Sequence, residues 1–464
     1  MKKFKIEYLV YIFICISPIL DSVSFLVREY ISTSFISVTT IIRPIIPIIL
    51  FIYLFIRYKD TRLRVFIFSL SYLIYGLVHL YIFDKYLTTS SYAGVLSEAR
   101  YIFNFTYMIG VMYILSKMFN KIKLNISKVL LISLFINLGL LYISIISGTS
   151  SSTYIDGIGL KGWNSSGNAV CSCLLINFAL VLLSYHKHKV LTIISGVFTG
   201  LFLTIILGTK TGLLGFFLVV GMYIVCQLLF TKDSKLLNFV LRNKLKVIIG
   251  SVVVIPIVIV LVIVSPVFDR ITSLNNQSSN VVDQVTGTKA YISGDATGYV
   301  KDILDGNMSS EFMSIAQQEA LLELYELGKK LELSPDDRRV HQMIYHTSLF
   351  NKGYLSQVLF GNGFYSNYNE MMFESEFFSF LYNFGLIGFI LYMGVFIYIL
   401  GAGIKKIRVN SLYIYLLFIC ILSILLSIFT GYTFFHPTTV VYICIAYIMF
   451  RGEQVNEKDI IWNN

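Results

Sequence analysis

In this chain of 464 residues, 56% are hydrophobic and only 14% charged. The apolar residues fall in blocks of about 18 or more, which excludes a soluble globular protein and indicates membrane-spanning helices. The formal charge of +11 is spread over short segments between those blocks. It forms no single basic face, which excludes nucleic acid as a partner.

The first block follows Met1-Lys-Lys-Phe-Lys5 and starts near Tyr8. No small-residue cleavage site follows it cleanly, so an uncleaved first span is expected. Windows of about 20 residues place spans near 8–26, 35–56, 65–83, 101–118, 128–147, 166–184, 189–207, 211–230, 246–266, 377–400, 411–430 and 434–450. The expected fold is thus an all-α polytopic membrane protein of about twelve helices. Its divisions are spans one to nine (1–266), a large loop (267–376), spans ten to twelve (377–450) and a tail (451–464). All six cysteines lie in apolar spans, and Cys171-Ser-Cys173 lacks further ligands. Neither a disulfide framework nor a metal site is implied.

Orientation follows from counting Lys and Arg. The alternate set of segments that begins with the N-terminus holds 23, and the opposite short loops hold five: Arg28, Lys85, Arg100, Lys161 and Lys210. Positive residues favour the cytoplasm, so both termini are expected inside and the large loop outside. From Phe268 to Glu376 that loop holds eight basic and fifteen acidic residues. Its first part, 275–307, is expected to be irregular. Apolar steps of three and four from Phe312 to Leu331 predict a helix over about 309–333. Ser334-Pro-Asp-Asp337 predicts the start of a second, which carries Arg338, Arg339, His341 and His346 and stops at Gly353. Two such helices would lie on the bilayer surface or lid a cavity.

Asp21 and Arg43 sit roughly 9–13 Å below the outer ends of the first two spans, at 1.5 Å per residue. They are placed either to pair with each other or, through Arg43, to face a cavity opened by Pro44 and Pro47. His79, Glu98, Arg100, Lys161, Lys210 and His436 fall at outer mouths. That distribution suits chemistry at the outer membrane–water boundary, and a solvated rim would look the same.

Three stretches then carry a resemblance. They are Gly162-Trp-Asn-Ser-Ser-Gly-Asn168, Gly208-Thr-Lys-Thr-Gly-Leu-Leu214, and Leu359-Phe-Gly-Asn-Gly363 with Glu374-Ser-Glu-Phe-Phe-Ser-Phe-Leu-Tyr-Asn-Phe-Gly-Leu-Ile-Gly388. In order and spacing they resemble the O-antigen polymerase and O-antigen ligase family of bacterial integral membrane glycosyltransferases. The chain departs from the family at Glu374-Ser375, where ligases carry a His-Asn pair.

The resemblance implies a multi-pass protein of the bacterial cytoplasmic (inner) membrane that joins oligosaccharides carried on undecaprenyl diphosphate at its outer face. Polymerase of O-antigen or capsule is the favoured reading. A ligase acting on a lipid or wall acceptor is the alternative, and a flippase or transporter the rival from another class. No cofactor, nucleotide sugar or metal is implied. The partners are the lipid-linked oligosaccharide and membrane lipid, with a chain-length regulator and a flippase as candidates.

Such transfer needs cations for the departing diphosphate and a base for the acceptor hydroxyl. Arg338 and Arg339 are assigned with Glu374 and Glu376 as catalytic candidates. Lys210, Arg43, Lys161, Asn164, Asn168 and His341 are substrate-binding candidates. Ordinary roles compete: a solvated turn for Lys210, pairing of Arg338 and Arg339 with Asp336 and Asp337, helix-terminal acids for Glu374 and Glu376, and capping for the two asparagines.

Overall fold

The structure is a computed structural model that describes residues 6–31, 38–59, 62–86, 92–121, 126–154, 156–184, 189–229, 265–268, 270, 281–364, 371, 373–404 and 412–452. Among the described residues, six helices are long and apolar enough to cross a membrane, or seven if the bent pair Glu376–Tyr392 and Gly394–Ile404 is one span. Shorter apolar helices cover Val190–Ile206, Tyr413–Phe429 and Pro437–Arg451. The chain is therefore an all-α, multi-pass membrane protein. Apart from its last two residues, the ninth expected span, near 246–266, lies outside the described residues, as does the 453–464 part of the tail.

The chain divides into two compact units. The first takes residues 1–59, 107–270 and 396–464. It contains α1 (Glu7–Tyr30), α2 (Val38–Arg57), the second part of α4 (Tyr92–Lys121), α5 (Ile126–Ile146), α6 (Gly167–Ser184), α7 (Lys189–Leu201) and α8 (Lys210–Leu229). A short antiparallel hairpin, β1 (Ser151–Ser152) and β2 (Leu160–Gly162), precedes α6. Helix α6 has no marked polar face, as befits a helix inside a bundle or a membrane. It packs against α5, α7 and α8 and is buried along almost its entire length. The last helix among the described residues, Pro437–Arg451, also packs against α6 and is buried from Thr438 to Phe450.

A departure from the expected straight span lies between α7 and α8. Helix α7 widens into a π turn over Phe202–Ile206 before Gly208, which has φ +73°. Single π turns inside helices concentrate at functional sites. This one delivers the chain into the Gly208–Gly212 turn and the start of α8.

The second unit takes residues 60–106 and 271–395. It holds α3 (Arg62–Tyr86), the first part of α4, and four loop helices: α9 (Gly294–Leu304), α10 (Ile315–Lys330), α11 (Arg338–Lys352) and α12 (Leu355–Phe360). Helix α13 (Glu376–Tyr392) completes it. Helix α9 corrects the expectation of an irregular segment. Ser293 caps it by accepting from the Ala296 N–H, and Ala296, Thr297 and Val300 are buried along it. Helix α10 begins at a capping box of Ser314 and Gln317, six residues later than expected. Helix α11 starts at Arg338 with Asp337 as its N-cap, because Ser334–Asp337 closes a turn of its own. Gly353 ends α11 as expected. Ile292, Ala296, Val300, Met313, Ala320, Leu321, Leu324, Tyr325, Tyr345, Leu349 and Met371 give the loop helices an apolar core of their own.

Helix α13 is interrupted where a continuous span was expected. Gly385 adopts φ 71°, ψ −177°. The freed carbonyls are taken up by the Leu359–Gly363 segment: Asn362 N–H donates to Tyr382 O (3.0 Å) and Gly363 N–H to Asn383 O (2.9 Å). Tyr75 adds a third donor, its hydroxyl giving 2.7 Å to Phe384 O. Three glycines permit the approach, since a Cβ on Gly361 would lie 2.1 Å from Asn383 O and one on Gly385 2.4 Å from Gly361 N, while one on Gly363 would lie 2.3 Å from the Phe83 ring.

Candidate functional site

In the second unit, helix α11 presents Arg339, Gln342 and His346 at steps of three and four, hence on one face. That face grips the extended segment before α13. His346 Nε2 donates to Met371 O at 2.7 Å, and Gln342 Oε1 accepts from the Glu374 N–H at 3.0 Å. Arg339 Nε lies 3.5 Å from Glu374 Oε2, and both side chains remain about 40% exposed (42% and 40%). Glu374 is thus a carboxylate at the water boundary with its backbone fixed and a guanidinium beside it. Arg338 is exposed next to it in sequence. Glu376 is the first residue of α13 and is buried.

His341 is placed differently. It is 1% exposed in the loop interior, where burial holds its ring below the usual histidine range. His346 is also buried, and burial pushes it down to about 4. It is neutral at physiological pH, with Nε2–H committed to Met371.

Also in the second unit, His79 and Glu98 are fully buried, with Nε2 to Oε1 at 2.8 Å. His79 Nδ1 faces Phe360 O at 2.5 Å, and Glu98 Oε2 accepts from the Phe364 N–H at 2.7 Å. A carbonyl can only accept, so Nδ1 carries a proton and a second proton lies between ring and carboxyl. The pair anchors both ends of the glycine segment that fills the break in α13. The sequence marked both residues as outer-mouth groups. Their pairing has no sequence signal, because it joins two helices through a loop more than 260 residues further on.

In the first unit, Asp21 and Arg43 pair at 2.5 Å, as one of the two expectations had it. Asp21 also accepts from Thr438 Oγ1 and faces His436 Nε2 at 3.4 Å. His436 Nδ1 accepts from the Thr439 N–H at the start of the last helix. The carboxylate thereby ties α1, α2 and that helix together, and Arg43 is engaged rather than open.

The hairpin of this unit closes on the π turn. Thr153 Oγ1 donates to Leu207 O at 2.8 Å, and a Cβ on Gly159 would stand 2.4 Å from the same oxygen. Lys161 lies on β2, where burial lowers its ammonium pKa and the Glu29 charge opposes that shift. Asn164 Nδ2 donates to Lys161 O at 3.3 Å, and Asn168 Nδ2 to Thr430 O at 2.7 Å. Both asparagines therefore hold backbone. Lys210 is exposed at the first position of α8, whose first turn is capped by Thr209 Oγ1 accepting from the Gly212 N–H at 3.1 Å. An ammonium at a helix N-terminus is repelled by the dipole, so this arrangement costs stability and gains an anion-attracting end. Among the described residues no cluster of His, Cys, Asp and Glu could hold a metal ion.

Apolar helices long enough to span a membrane, together with a folded polar segment, define a multi-pass membrane protein. The family model described as O-antigen ligase like membrane protein matches residues 3–450. The chain belongs to that family, which places it among membrane enzymes that transfer glycosyl groups in glycan assembly. No curated protein matches the chain.

Proposed function

We propose that the protein polymerises glycan, joining oligosaccharide repeat units carried on undecaprenyl diphosphate at the outer face of the cytoplasmic membrane. The observation that carries this reading is the gripped, water-exposed Glu374 beside Arg339 at the family's ligase His position, in a chain that belongs to this family. In the reaction, Glu374 takes the proton of the acceptor hydroxyl. That oxygen forms a bond to the anomeric carbon of the donor glycan, and the bond from that carbon to the diphosphate breaks. The departing diphosphate gains negative charge. Arg338 and Arg339 are the cations of the loop unit suited to it, through guanidinium forks that match phosphate oxygens. Taken by itself, the first unit offers Lys210, exposed at the first position of α8, as a candidate for phosphate.

His341, Asn164, Asn168 and Arg43 act as supports in this reading, given their burial or their bonds to the fold. A ligase that passes the glycan to a lipid or wall anchor is favoured by the family's description. Glu374-Ser375 in place of His-Asn favours the polymerase.

The test is Glu374→Gln and Lys210→Ala in cells that depend on this protein for polymer. Loss of one transition-state contact costs on the order of 10²–10³ in rate, so long chains collapse to single repeats. Unchanged chain length with either substitution removes that residue from the reaction.

A further inference from the structure

Within the second unit, one group of buried polar side chains includes atoms with no hydrogen-bond partner. Ser375, Ser379 and Asn383 recur at steps of four, so they share one face of α13 and its cap. All three are buried. Asn383 Nδ2 donates to Ser379 Oγ at 2.9 Å. Asn383 Oδ1 and Ser375 Oγ have no partner. Asn362, 6% exposed, is held beside Asn383 by the two backbone bonds of the helix break, and both its side-chain Oδ1 and Nδ2 are without a partner.

Buried polar groups are ordinarily bonded, because leaving them bare forfeits hydration without return. Here there are four such atoms: two on Ser375 and Asn383, which share a face of the stretch that begins one residue after Glu374, and two on Asn362, held beside Asn383. We propose that they form a subsite for a neutral, hydroxyl-bearing ring: a sugar unit of the acceptor glycan. The chemistry of the set selects that class. Amides and a hydroxyl carry no net charge, so the set supplies no counter-charge to an ion. An asparagine side chain supplies a donor and an acceptor, the pattern that pairs with hydroxyls, each of which also does both. The glycines at 361, 363 and 385 serve this purpose, since they let the segment sit against the broken helix with Asn362 beside it. The inference rests on the glycan-assembly reading for its choice of sugar.

The test uses the full chain in lipid nanodiscs, probed by saturation-transfer NMR with methyl glycosides of neutral hexoses and N-acetylhexosamines. Wild type is expected to give saturable binding, and Asn362→Leu and Asn383→Ala each to weaken it at least tenfold. Asn362→Leu replaces an unpartnered amide by an apolar side chain of similar size, so its Tm is expected to equal or exceed that of wild type. Undecaprenyl diphosphate binding, measured on the same samples, is expected to be unchanged. Glycoside binding that survives both substitutions overturns the subsite, as does a wild type that binds no glycoside, where the amides hold only water. Sensitive glycoside binding with no glycosyl transfer supports the subsite and strikes the assembly reading instead.

Discussion

Asp21 is the acceptor for Arg43 and Thr438 and lies 3.4 Å from His436 Nε2, which makes it the residue on which the contact of α1, α2 and the helix from Pro437 depends. Asp21→Asn leaves Arg43 without a counter-charge in a site that is mostly buried. Breaking a buried pair from one side costs about 3–5 kcal/mol. The thermal unfolding of the purified variant is expected to show that loss, and the double variant Asp21→Leu with Arg43→Met is expected to recover most of it. His346 gives a prediction in pH. Its ring is held down to about 4 by burial, against about 6.5 unfolded. Between these values the unfolded chain binds the extra proton, so stability rises with pH and is lost as pH falls from about 6.5 towards 4. The slope contributed is at most about 1.4 kcal/mol per pH unit. His346→Gln is expected to flatten stability against pH in that window, and an unchanged slope contradicts the assignment. The sequence named Arg339 and Glu374 as candidates and offered Asp336 and Asp337 as the ordinary partners of the arginine; the structure sets Arg339 beside Glu374 instead. The sequence held no sign of Gln342, whose role as acceptor for the Glu374 N–H exists only once α11 lies along that segment.

At the scale of elements, the decisive feature is the seam between Leu359–Gly363 and the break in α13. Ala at Gly361 meets both a positive φ of 92° and a contact of 2.1 Å to Asn383 O. Strain of this kind costs about 1–3 kcal/mol before the clash is added. Gly361→Ala and Gly385→Ala are therefore expected to lower the folded yield and Tm sharply. Gly139→Ala is the control: it lies in helix α5 with nothing within 4 Å of the added methyl. It is expected to leave Tm unchanged or raise it. The seam also shows where sequence reading stops. The apolar run from 377 to 400 reads as one span, because hydropathy registers composition and is blind to the break at Gly385. Helix α9 went unread for the opposite reason. Gly294, Asp295 and Gly298 are poor helix formers, and what holds the helix is the burial of Ala296 and Val300 in the loop core. Helix α10 was legible from its apolar steps, and its true start was written in the Ser314–Gln317 box.

For the whole molecule, composition was enough to give a multi-pass all-α protein, since runs of about 18–20 apolar residues leave a chain no other stable form in lipid. The bias of Lys and Arg, 23 against five in the short segments, predicts that the large loop faces outward. A reporter fused within the loop near residue 300 is expected to be active outside the cytoplasm. Activity on the cytoplasmic side would separate Glu374 from a donor presented at the outer face. The most direct measurement is transfer itself. The purified protein in lipid vesicles is given the undecaprenyl-diphosphate-linked oligosaccharide of its own cell, with no nucleotide sugar, and the products are sized. A ladder of lengthening chains that Glu374→Gln abolishes is the predicted result. Donor that stays at a single repeat unit, with the folded wild type present, contradicts glycan polymerisation by this chain.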